Sequence, residues 1–540
     1  MKKGFLHRFD ACGSNLVRLL TCLPLAFSLV ACGGGSSPPA ASAQQAFQKT
    51  CAGLAGQTVG EGTIVSAADV PASGVVPEMC DAMGAIVSSP TSTINFKVEL
   101  PIPSAWNKKM LQEGGGAFDG VIADYLPAYE TGNVRQKGYV VVADDSGHQD
   151  PNITDLTFAL NNETAFDNFA ELAIPRTYTA AQATIKLMYG VAPTHNYFYG
   201  ISTGGREALQ QAQRNPQNYD GIVADVPVID YGQVIQKGIA VQQAALNSNG
   251  AGWLDANKIQ LYANAQLAAC DGLDGLVDGI ISNVAACHFD PTTLRCPGGT
   301  DAGDTCLSDA QLATVKILTT DTALPVSLPN NLTVAPRWGI GAETDAGGGW
   351  AAEQLGAAPQ PDMSALGIFS DQYVKYGITG NPATNLLTYD ATQDAAQWQA
   401  TSDKVNATNP DMTSFAARGG KLILYSSLSD QLNEPFETID YYNEVAQTMG
   451  QSETDSFLRF YTAPGVTHGG TGPGAGLADR LGALENWVEN GVTPPDQLLA
   501  SKVAQDGSVV LTRPMCRYPD WPKYNGGDVN SASSFTCVNQ

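Results

Sequence analysis

Residues 197–209 read YFYGISTGGREAL, an aromatic run that enters a G-x-S-x-G pentapeptide and continues as a polar segment. The aromatic run is typical of a β-strand, and Arg206 to Arg214 predicts a helix that ends at Asn215-Pro216. Glycines on both sides of Ser202 allow a tight turn, and the helix that follows points the positive end of its dipole at the serine hydroxyl. The stretch therefore predicts a nucleophile elbow. The alternative is an ordinary Gly-Ser turn, because G-x-S-x-G alone often arises by chance.

A serine nucleophile requires a histidine base, and histidine is scarce in this chain. Apart from His7 near the N-terminus, the histidines are His148, His195, His288 and His468. His195 begins the strand that enters the elbow and His288 follows a cysteine, so both are predicted to be structural. In α/β-hydrolases the order along the chain is serine, acid, histidine. Since His148 precedes the serine, this order selects His468, which is predicted to close a strand at 460–468 (FYTAPGVTH).

The acid is predicted between the serine and the histidine, after a strand of the same sheet. Lys421–Tyr425 is an apolar, strand-like run, and Asp430 follows it by five residues. Asp430 is placed to orient the imidazole of His468 and to stabilise its cation when Ser202 gives up its proton. The alternative for Asp430 is a turn residue without a chemical role.

Two backbone N–H groups are predicted to hold the oxyanion. Thr203 supplies one of them by its position directly after the serine. The second is predicted at Gly116, the last residue of KMLQEGGG at 109–116, because glycines let the backbone approach a substrate carbonyl closely. Three separated segments thus fit one mechanism, which supports it more strongly than any single motif.

These segments together resemble the tannase and feruloyl esterase family, which also contains an enzyme that hydrolyses mono(2-hydroxyethyl) terephthalate. The matching stretches are Pro103–Asn107 with Gly114–Gly116, Asp145–His148, Gly200–Arg206, Gln213–Pro216, Tyr219–Ile222, Gly420–Tyr425 with Asp430, and His468–Pro473. The resemblance extends from Cys51 to Cys537. It implies a serine esterase that acts on aromatic esters of the gallate, ferulate or terephthalate monoester type.

The chain departs from the family pattern at one pair of positions. The family typically has cysteines directly before the serine and directly after the histidine, joined by a disulfide, whereas this chain has Ile201 and Gly469. Both cysteines are missing together, so no unpaired thiol remains. We therefore expect Ser202 and His468 to be held less rigidly, with only modest discrimination among aromatic acids.

The predicted fold class is α/β: an α/β-hydrolase fold with a mostly parallel sheet flanked by helices and a large inserted lid domain. The pattern predicts strands at Ile94–Leu100, Lys109–Gln112, Tyr139–Ala143 and Gly221–Val226, and helices at Ala165–Tyr189 and Ala475–Val488. Strands that alternate with helices indicate βαβ units. The predicted divisions are a lipoprotein signal peptide at 1–31, a flexible tether at 32–46, hydrolase core segments at 47–227 and 417–540, and the lid at 228–416.

The lid is predicted where the strand pattern stops. This segment contains four of the seven tryptophans, namely Trp253, Trp338, Trp350 and Trp398. We expect most of them to be core residues of the lid, with an aromatic slot for substrate as the alternative.

Residues 271–280, DGLDGLVDGI, are the metal candidate of the sequence. The spacing does not match an EF-hand, and on spacing alone a capped helix-to-turn segment is favoured. The family resemblance implies a structural Ca²⁺ site instead. The ligands would be the carboxylates of Asp271, Asp274 and Asp278 and the backbone carbonyls of Leu276 and Ile280, an all-oxygen set that calcium prefers.

Eight cysteines lie beyond the N-terminal segment: Cys51, Cys80, Cys270, Cys287, Cys296, Cys306, Cys516 and Cys537. An even number in an exported chain points to disulfides, but the sequence alone allows many pairings. The family resemblance implies Cys51–Cys80, Cys270–Cys287, Cys296–Cys306 and Cys516–Cys537. A zinc site is the weaker alternative, because no C-x-x-C spacing occurs.

Residues 1–31 read as an export signal whose apolar core, Leu19–Val30, is too short to span a membrane. The sequence Leu29-Val30-Ala31-Cys32 resembles the lipobox of bacterial lipoproteins, so Cys32 is the predicted lipidated residue. Cleavage after Ala43 is the alternative. We expect an exported protein of a Gram-negative bacterium, either an outer-membrane lipoprotein or a periplasmic or secreted protein, with membrane contact only through the anchor.

The 540-residue chain carries a formal charge of −24. A surface this acidic repels the phosphate backbone of nucleic acid, so nucleic acid is not an expected partner. A small aromatic or neutral ester is the expected partner. The alternatives to an aromatic-ester hydrolase are a broad short-chain esterase or an amidase with the same triad, and a non-catalytic surface lipoprotein that binds aromatic glycosides. The sequence leaves the oligomeric state open.

Overall fold

The strand that enters Ser202 lies near the middle of one large sheet. The computed structural model describes residues 40–126 and 133–539, and the chain from Gln44 onward forms one compact unit. The predicted signal peptide and the lipidation site Cys32 lie outside the described residues. The strands are β1 (Thr58–Val59), β2 (Gly62–Val70), β3 (Met79–Ser89), β4 (Ser92–Pro101), β5 (Lys109–Glu113), β6 (Val140–Asp144), β7 (His195–Ile201), β8 (Gly221–Asp225), β9 (Thr322–Leu328), β10 (Leu332–Ala335), β11 (Lys421–Ser427), β12 (Leu458–Ala463), β13 (Gln497–Val503), β14 (Val509–Arg517), β15 (Trp521–Tyr524) and β16 (Phe535–Val538).

Within the described ranges, twelve strands form the large sheet in the order β1-β2-β3-β4-β6-β5-β7-β8-β11-β12-β14-β13. The six central strands, from β6 to β12 in this order, are parallel to their neighbours. The outer strands pair in antiparallel fashion. The mostly parallel centre of an α/β-hydrolase fold is thereby confirmed. Because parallel strands end at the same edge, the loops after β7, β11 and β12 meet there, and they carry Ser202, Asp430 and His468.

Alternate residues of the central strands are buried on opposite faces of the sheet. Phe198 and Ile222 belong to one apolar cluster, whereas Tyr199 and Val223 belong to another. Side chains of a strand alternate between faces, so a sheet that is apolar on both faces needs a cover on each. This requirement explains why the central strands read as nearly continuous apolar runs.

Helices cover both faces, as predicted. Ile185 of one helix and Leu209 of another pack into the first cluster, and Leu484 packs into the second. The helices are α1 (Ala40–Ala52), α2 (Glu163–Asp167), α3 (Ala173–Tyr189), α4 (Thr203–Arg214), α5 (Tyr231–Gly250), α6 (Ala256–Cys270), α7 (Asp309–Thr319), α8 (Trp350–Glu353), α9 (Ala365–Gln372), α10 (Ala395–Val405), α11 (Thr413–Ala417), α12 (Pro435–Met449), α13 (Gln451–Phe457) and α14 (Arg480–Asn490). In residues 40–126 and 133–539, no helix is both long enough and apolar enough to cross a membrane.

Several boundaries differ from the sequence prediction. The helix predicted at 165–189 is divided by a π-helical turn at Asn168–Leu172. Strand β12 ends at Ala463, so His468 lies within a loop and does not close a strand. The helix predicted from Ala475 begins at Arg480. The Asp479 side chain accepts the backbone N–H of Gly482 and so caps the helix at this point.

The inserted segment shares its core with the first part of the chain. Residues 228–416 contribute helices and the two-stranded sheet β9–β10 between β8 and β11. Their apolar cluster contains Trp350 and Trp398 together with Phe118 and Phe169, which precede Ser202 in the chain. The segment therefore packs as part of the molecule, and its limits at 228 and 416 stay predictions.

Four disulfides join sequence neighbours: Cys51–Cys80, Cys270–Cys287, Cys296–Cys306 and Cys516–Cys537. These are the pairs that the family resemblance implies. The first joins α1 to β3, the last joins β14 to β16, and the other two lie in the inserted segment. Each closes a short loop and so restricts the unfolded chain.

Candidate active site

Ser202 lies at a sharp turn between β7 and α4. Its φ of 61° and ψ of −116° are unusual for a residue other than glycine. Gly200 makes the turn possible, because a Cβ there would lie 1.8 Å from the carbonyl oxygen of Gly204. Helix α4 begins at Thr203, three residues before its predicted start, so Ser202 directly precedes the first turn of the helix.

His468 lies between Ser202 and Asp430. Its Nε2 is 3.0 Å from Ser202 Oγ, and its Nδ1 is 2.8 Å from Asp430 Oδ2. The tautomer with a proton on Nδ1 satisfies both contacts, because Nδ1–H donates to the carboxylate and Nε2 accepts the hydroxyl proton of the serine. The three side chains selected from the sequence thus form one hydrogen-bonded chain, which is the arrangement that activates a serine nucleophile.

The carboxylate of Asp430 is buried, and both of its oxygens are engaged. Oδ1 accepts the backbone N–H groups of Leu432 and Asn433, at 2.8 and 2.9 Å. This leaves Oδ2 for His468. Because the carboxylate cannot rotate without breaking these bonds, it fixes the orientation of the imidazole ring.

Two tryptophans of the inserted segment hold the loop that carries Asp430. Trp338 Nε1 donates to the Leu432 carbonyl at 3.1 Å, and Trp350 Nε1 donates to Gln431 Oε1 at 3.0 Å. Both tryptophans are buried in the core of the inserted segment. They are therefore core residues, as expected, and no tryptophan of the lid is among the described residues that line the cavity beside Ser202.

Hydrogen bonds hold the loop that carries His468. Thr467 Oγ1 and Thr471 Oγ1 are 2.7 Å apart, and Thr471 Oγ1 donates to Asp345 Oδ1 of the inserted segment at 2.8 Å. On the opposite side, Lys502 Nζ donates to the Gly472 carbonyl at 2.7 Å. Polar contacts from two other parts of the chain thus position this loop.

The two positions where the family has cysteines are occupied differently. Ile201 is buried and lines the cavity beside Ser202. Gly469 is exposed, and a Cβ built on it would meet no atom within 4 Å. The branched side chain of Ile201 therefore packs into an apolar cluster of the sheet, while Gly469 adds no side-chain packing.

The electrostatic surroundings of His468 favour its cation. Burial lowers the pKa of His468, but the charge of Asp430 and its hydrogen bond outweigh burial, so the pKa lies above its usual value. Glu353 of helix α8 acts in the same direction, and burial raises its own pKa to about 7. Sequence analysis missed Glu353, because no local pattern shows that the inserted segment brings this carboxyl toward the histidine.

Gly116 and Thr203 lie beside Ser202, where the oxyanion donors are expected. Gly116 lines the same cavity as Ser202 and His468, and Thr203 is the first residue of α4. Thr203 Oγ1 and the Tyr231 hydroxyl each lie 2.6 Å from the carbonyl oxygen of Ala117, to which they donate. These hydrogen bonds attach residues 114–117, here called the glycine loop, to the first turn of α4.

A cavity of about 320 Å³ lies beside Ser202. Aromatic and aliphatic side chains from both the core and the inserted segment form its walls, chiefly Tyr125, Tyr231, Leu366 and Phe369. Among the lining residues that the structure describes there is no lysine, arginine, aspartate or glutamate. The wall residues of the inserted segment have no signal in the sequence, because they line the site only through tertiary packing.

The other histidines in the described part of the chain do not line this cavity. His148 is buried and stacks on Phe158, with ring centroids 3.4 Å apart, and burial lowers its pKa to about 4. His195 begins β7, at the end of the strand away from Ser202. The chain-order argument that selected His468 therefore agrees with the geometry.

The proposed calcium ligands make hydrogen bonds within their own segment. Asp271 accepts the N–H groups of Asp278 and Gly279, and Asp274 accepts that of Leu276. Asp278 Oδ2 is 2.8 Å from Arg513 Nη2. Among the described residues, no group of three or more His, Cys, Asp or Glu side chains is placed to hold a metal ion. The carboxylates as arranged do not form a cation cage, so calcium stays a prediction from the family resemblance.

Comparison with known proteins places these features in a family. The family model described as tannase and feruloyl esterase matches residues 80–538. An uncharacterized esterase of Agrobacterium fabrum is 32% identical over 85% of this chain and 86% of the relative. The mono(2-hydroxyethyl) terephthalate hydrolase of Piscinibacter sakaiensis is 29% identical over 86% of this chain and 85% of the relative. The structure of feruloyl esterase B from Aspergillus oryzae covers 91% of this chain and 100% of its own, with 25% identity and a TM-score of 0.78.

The electrostatics of His468 predict a pKa above the usual value of a histidine, and this increase depends on Asp430. In Asp430→Asn the charge that raises the pKa is lost while the burial that lowers it remains, so the pKa should fall below that of the wild type. Titration of ¹⁵N-labelled histidines by NMR measures both values, with the buried His148 as an internal control. An unchanged His468 pKa in the variant would contradict the proposed ion pair.

Proposed function

The chain belongs to the tannase and feruloyl esterase family and is a carboxylic-ester hydrolase, and from this premise we propose that it cleaves aromatic esters with Ser202, His468 and Asp430. The observation that carries the proposal is the hydrogen-bonded chain from Ser202 Oγ through His468 to Asp430 beside an apolar cavity. A nucleophile, a base and an orienting acid in this order are the requirements of acyl transfer through a serine ester.

In the first half of the reaction, Ser202 Oγ attacks the carbonyl carbon of the ester and its proton moves to His468 Nε2. The resulting imidazolium is stabilised by the Asp430 carboxylate on Nδ1. When the tetrahedral intermediate collapses, the bond from carbon to the alcohol oxygen breaks. The leaving alcohol takes the proton from Nε2, and the acyl group remains on Ser202.

The oxyanion of the intermediate is assigned to the backbone N–H groups of Gly116 and Thr203. Gly116 lines the same cavity as Ser202, and the Thr203 N–H is at the positive end of α4. Donors that are fixed before the reaction do not need to reorganise, and removal of one such donor typically lowers the rate by about 10²–10³.

In the second half, His468 takes a proton from a water molecule, and the hydroxide oxygen attacks the acyl carbon. The ester bond to Ser202 Oγ breaks, the serine recovers its proton from Nε2, and the carboxylic acid leaves. Both halves require a neutral His468, so activity should fall as pH drops through the raised pKa of this residue.

The walls of the cavity favour a neutral aromatic acyl group. Tyr125, Tyr231 and Phe369 present aromatic surface, and Leu366 and Ile235 present aliphatic surface. A distal carboxylate would lose its hydration without gaining a positive partner among the described lining residues. Gallate- and ferulate-type esters are therefore better candidates than a terephthalate monoester, which carries a free carboxylate.

Short-chain esters are a second class of substrate, favoured by cavity walls that are mainly aliphatic and aromatic. An apolar site distinguishes similar acyl groups by only about 1–3 kcal/mol per missing group. Discrimination among neutral acids should accordingly be modest, and activated short-chain p-nitrophenyl esters should also be hydrolysed.

Ser202→Ala tests the assignment of the nucleophile. The variant should keep its fold and lose at least 10³ in kcat, because the three side chains act as a unit. Initial rates on methyl ferulate and p-nitrophenyl acetate, with the exposed Ser456→Ala as control, measure the effect. More than a tenth of the wild-type rate in a folded, repurified variant would rule out Ser202 as the nucleophile.

Dimethyl terephthalate and monomethyl terephthalate form a matched substrate pair that differs in one distal charge. At pH 7.5 we expect kcat/KM per ester group to be about 30-fold higher for the diester than for the monoester. This factor corresponds to ~2 kcal/mol of transition-state binding that the unpaired carboxylate loses. Thr154 is half-buried and lines the cavity. Thr154→Arg should reduce the ratio of kcat/KM between diester and monoester, whereas Thr154→Met should leave this ratio unchanged. Equal rates on the two substrates would contradict the neutral-ligand proposal.

We further propose a structural calcium ion at residues 271–280, on the strength of the family resemblance and not of the observed contacts. Elemental analysis of dialysed protein should find one calcium per chain, and EDTA should lower the melting temperature while Ser202 still reacts with a fluorophosphonate probe. Arg513 already neutralises Asp278 in the present arrangement. A protein without calcium and indifferent to EDTA would assign this role to Arg513 instead.

We also propose export and lipidation at Cys32. Four disulfides suit an oxidising compartment outside the cytoplasm. The mass of the N-terminal peptide of the mature protein distinguishes a lipidated Cys32 from a chain that begins after Ala43.

A further inference from the structure

A buried carboxylate connects helix α4 to the glycine loop. Glu207 lies in α4, five residues after Ser202, and is 3% exposed. Its Oε2 accepts the backbone N–H of Gly115 at 3.0 Å. The same glycine is bound on its other side, because its carbonyl accepts the N–H of Gly204 at 3.1 Å. Gly115 is thus attached to α4 through both of its backbone polar groups.

These two bonds determine where the N–H of Gly116 points. The carbonyl of Gly115 and the N–H of Gly116 belong to one planar trans peptide, in which the two groups point in opposite directions. Since the carbonyl points at Gly204 in the helix, the N–H of Gly116 points away from it, on the side where Gly116 lines the cavity with Ser202. The peptide before Gly115 is oriented in the same way by Glu207.

The backbone of the glycine loop is closely packed at Gly114 and Gly115. A Cβ on Gly114 would lie 2.9 Å from Glu207 Oε2, and a Cβ on Gly115 would lie 2.2 Å from the Asp119 carboxylate. The two carboxyl groups therefore enclose the backbone of Gly115 from different sides. Only a residue without a side chain fits between them.

Glu207 is an unusual residue to bury unless it has a positional role. Arg206 is fully buried beside it, with Nη2 3.7 Å from Glu207 Oε1, and Asp119 and Asp144 are buried nearby. Burial raises the pKa of Glu207, and the charge of Arg206 opposes this effect. An apolar side chain would avoid these costs, but it would leave the N–H of Gly115 without an acceptor.

We propose that Glu207 is a positioning residue that aims the N–H of Gly116 at the oxyanion of the reaction catalysed by Ser202. The proposal rests on the proposed function, since it needs an oxyanion beside Ser202. Glu207 does not touch the substrate. It acts through Gly115, so its loss should weaken binding of the transition state more than binding of the substrate.

Glu207→Leu tests the proposal, because leucine has a similar volume and no acceptor. We expect kcat on methyl ferulate to fall 30- to 100-fold while KM changes less than threefold. An aryl trifluoromethyl ketone, which forms a tetrahedral adduct with serine, should bind at least 30-fold more weakly. The matching aryl methyl ketone should bind within threefold of wild type.

Glu207→Gln keeps the shape and an acceptor oxygen but removes the charge, and neutral acceptors bind N–H groups less strongly. Glu207→Gln should recover at least part of the kcat lost in Glu207→Leu, with kcat within about tenfold of wild type. If Glu207→Leu does not fold, Glu207→Gln tests the positioning role in its place. Asp220→Leu is the matched control, since Asp220 accepts the N–H of Asn196 at the opposite end of β7. It should lower the melting temperature and leave kcat within threefold.

The outcomes separate this inference from the assignment of the nucleophile. A folded Glu207→Leu with kcat within threefold of wild type, or with equal losses for both ketones, would overturn the positioning role. So would a Glu207→Gln variant no better than Glu207→Leu. If Ser202→Ala retains activity, the proposed function itself fails, whatever the Glu207 variants show.

Discussion

The contact between the first turn of α4 and the glycine loop at 114–117 is the constraint on which the site depends. A Cβ on Gly204 would lie 2.9 Å from the carbonyl carbon of Gly114, and one on Gly114 would lie 2.6 Å from the Cα of Gly204. Real side chains at these positions would push the two backbones apart. The proposed nucleophile lies on one of these backbones and a proposed oxyanion donor on the other, so their separation determines whether both reach one carbonyl group.

A buried ion pair supports the elbow from the neighbouring strand. The backbone carbonyl of Asp225 accepts the N–H of Ser202 at 3.0 Å, and the Asp225 side chain binds Arg480 of α14 at 3.0 Å with both groups almost fully buried. Burial raises the pKa of Asp225, and the Arg480 guanidinium opposes that shift. Removing either partner would leave a charge in the interior, which typically costs about 3–5 kcal/mol. The position of Ser202 is thus coupled to a helix on the opposite face of the sheet.

The inserted segment holds two loops of the site and forms part of the cavity wall. Trp338 and Trp350 hold the loop of Asp430, Asp345 holds the loop of His468, and Leu366 and Phe369 supply walls of the cavity. In the family pattern a disulfide joins the serine and histidine loops directly, and here hydrogen bonds from the inserted segment and from Lys502 restrain the histidine loop. Side-chain hydrogen bonds restrain a loop less than a covalent bond does, and this difference is the physical basis of the prediction of modest selectivity.

The sequence by itself determined the parallel sheet, the family and the three residues that meet at its edge. The physical reason is that strand, turn and helix signals are local, and the ends of successive parallel strands coincide in space. The start of α4 at Thr203, the roles of Glu207 and Glu353, and the aromatic walls around Phe369 were decided only by the tertiary structure. These features depend on contacts between segments far apart in the chain. No pattern within either segment records which backbone amide a buried carboxylate will bind or which side chain will face a cavity.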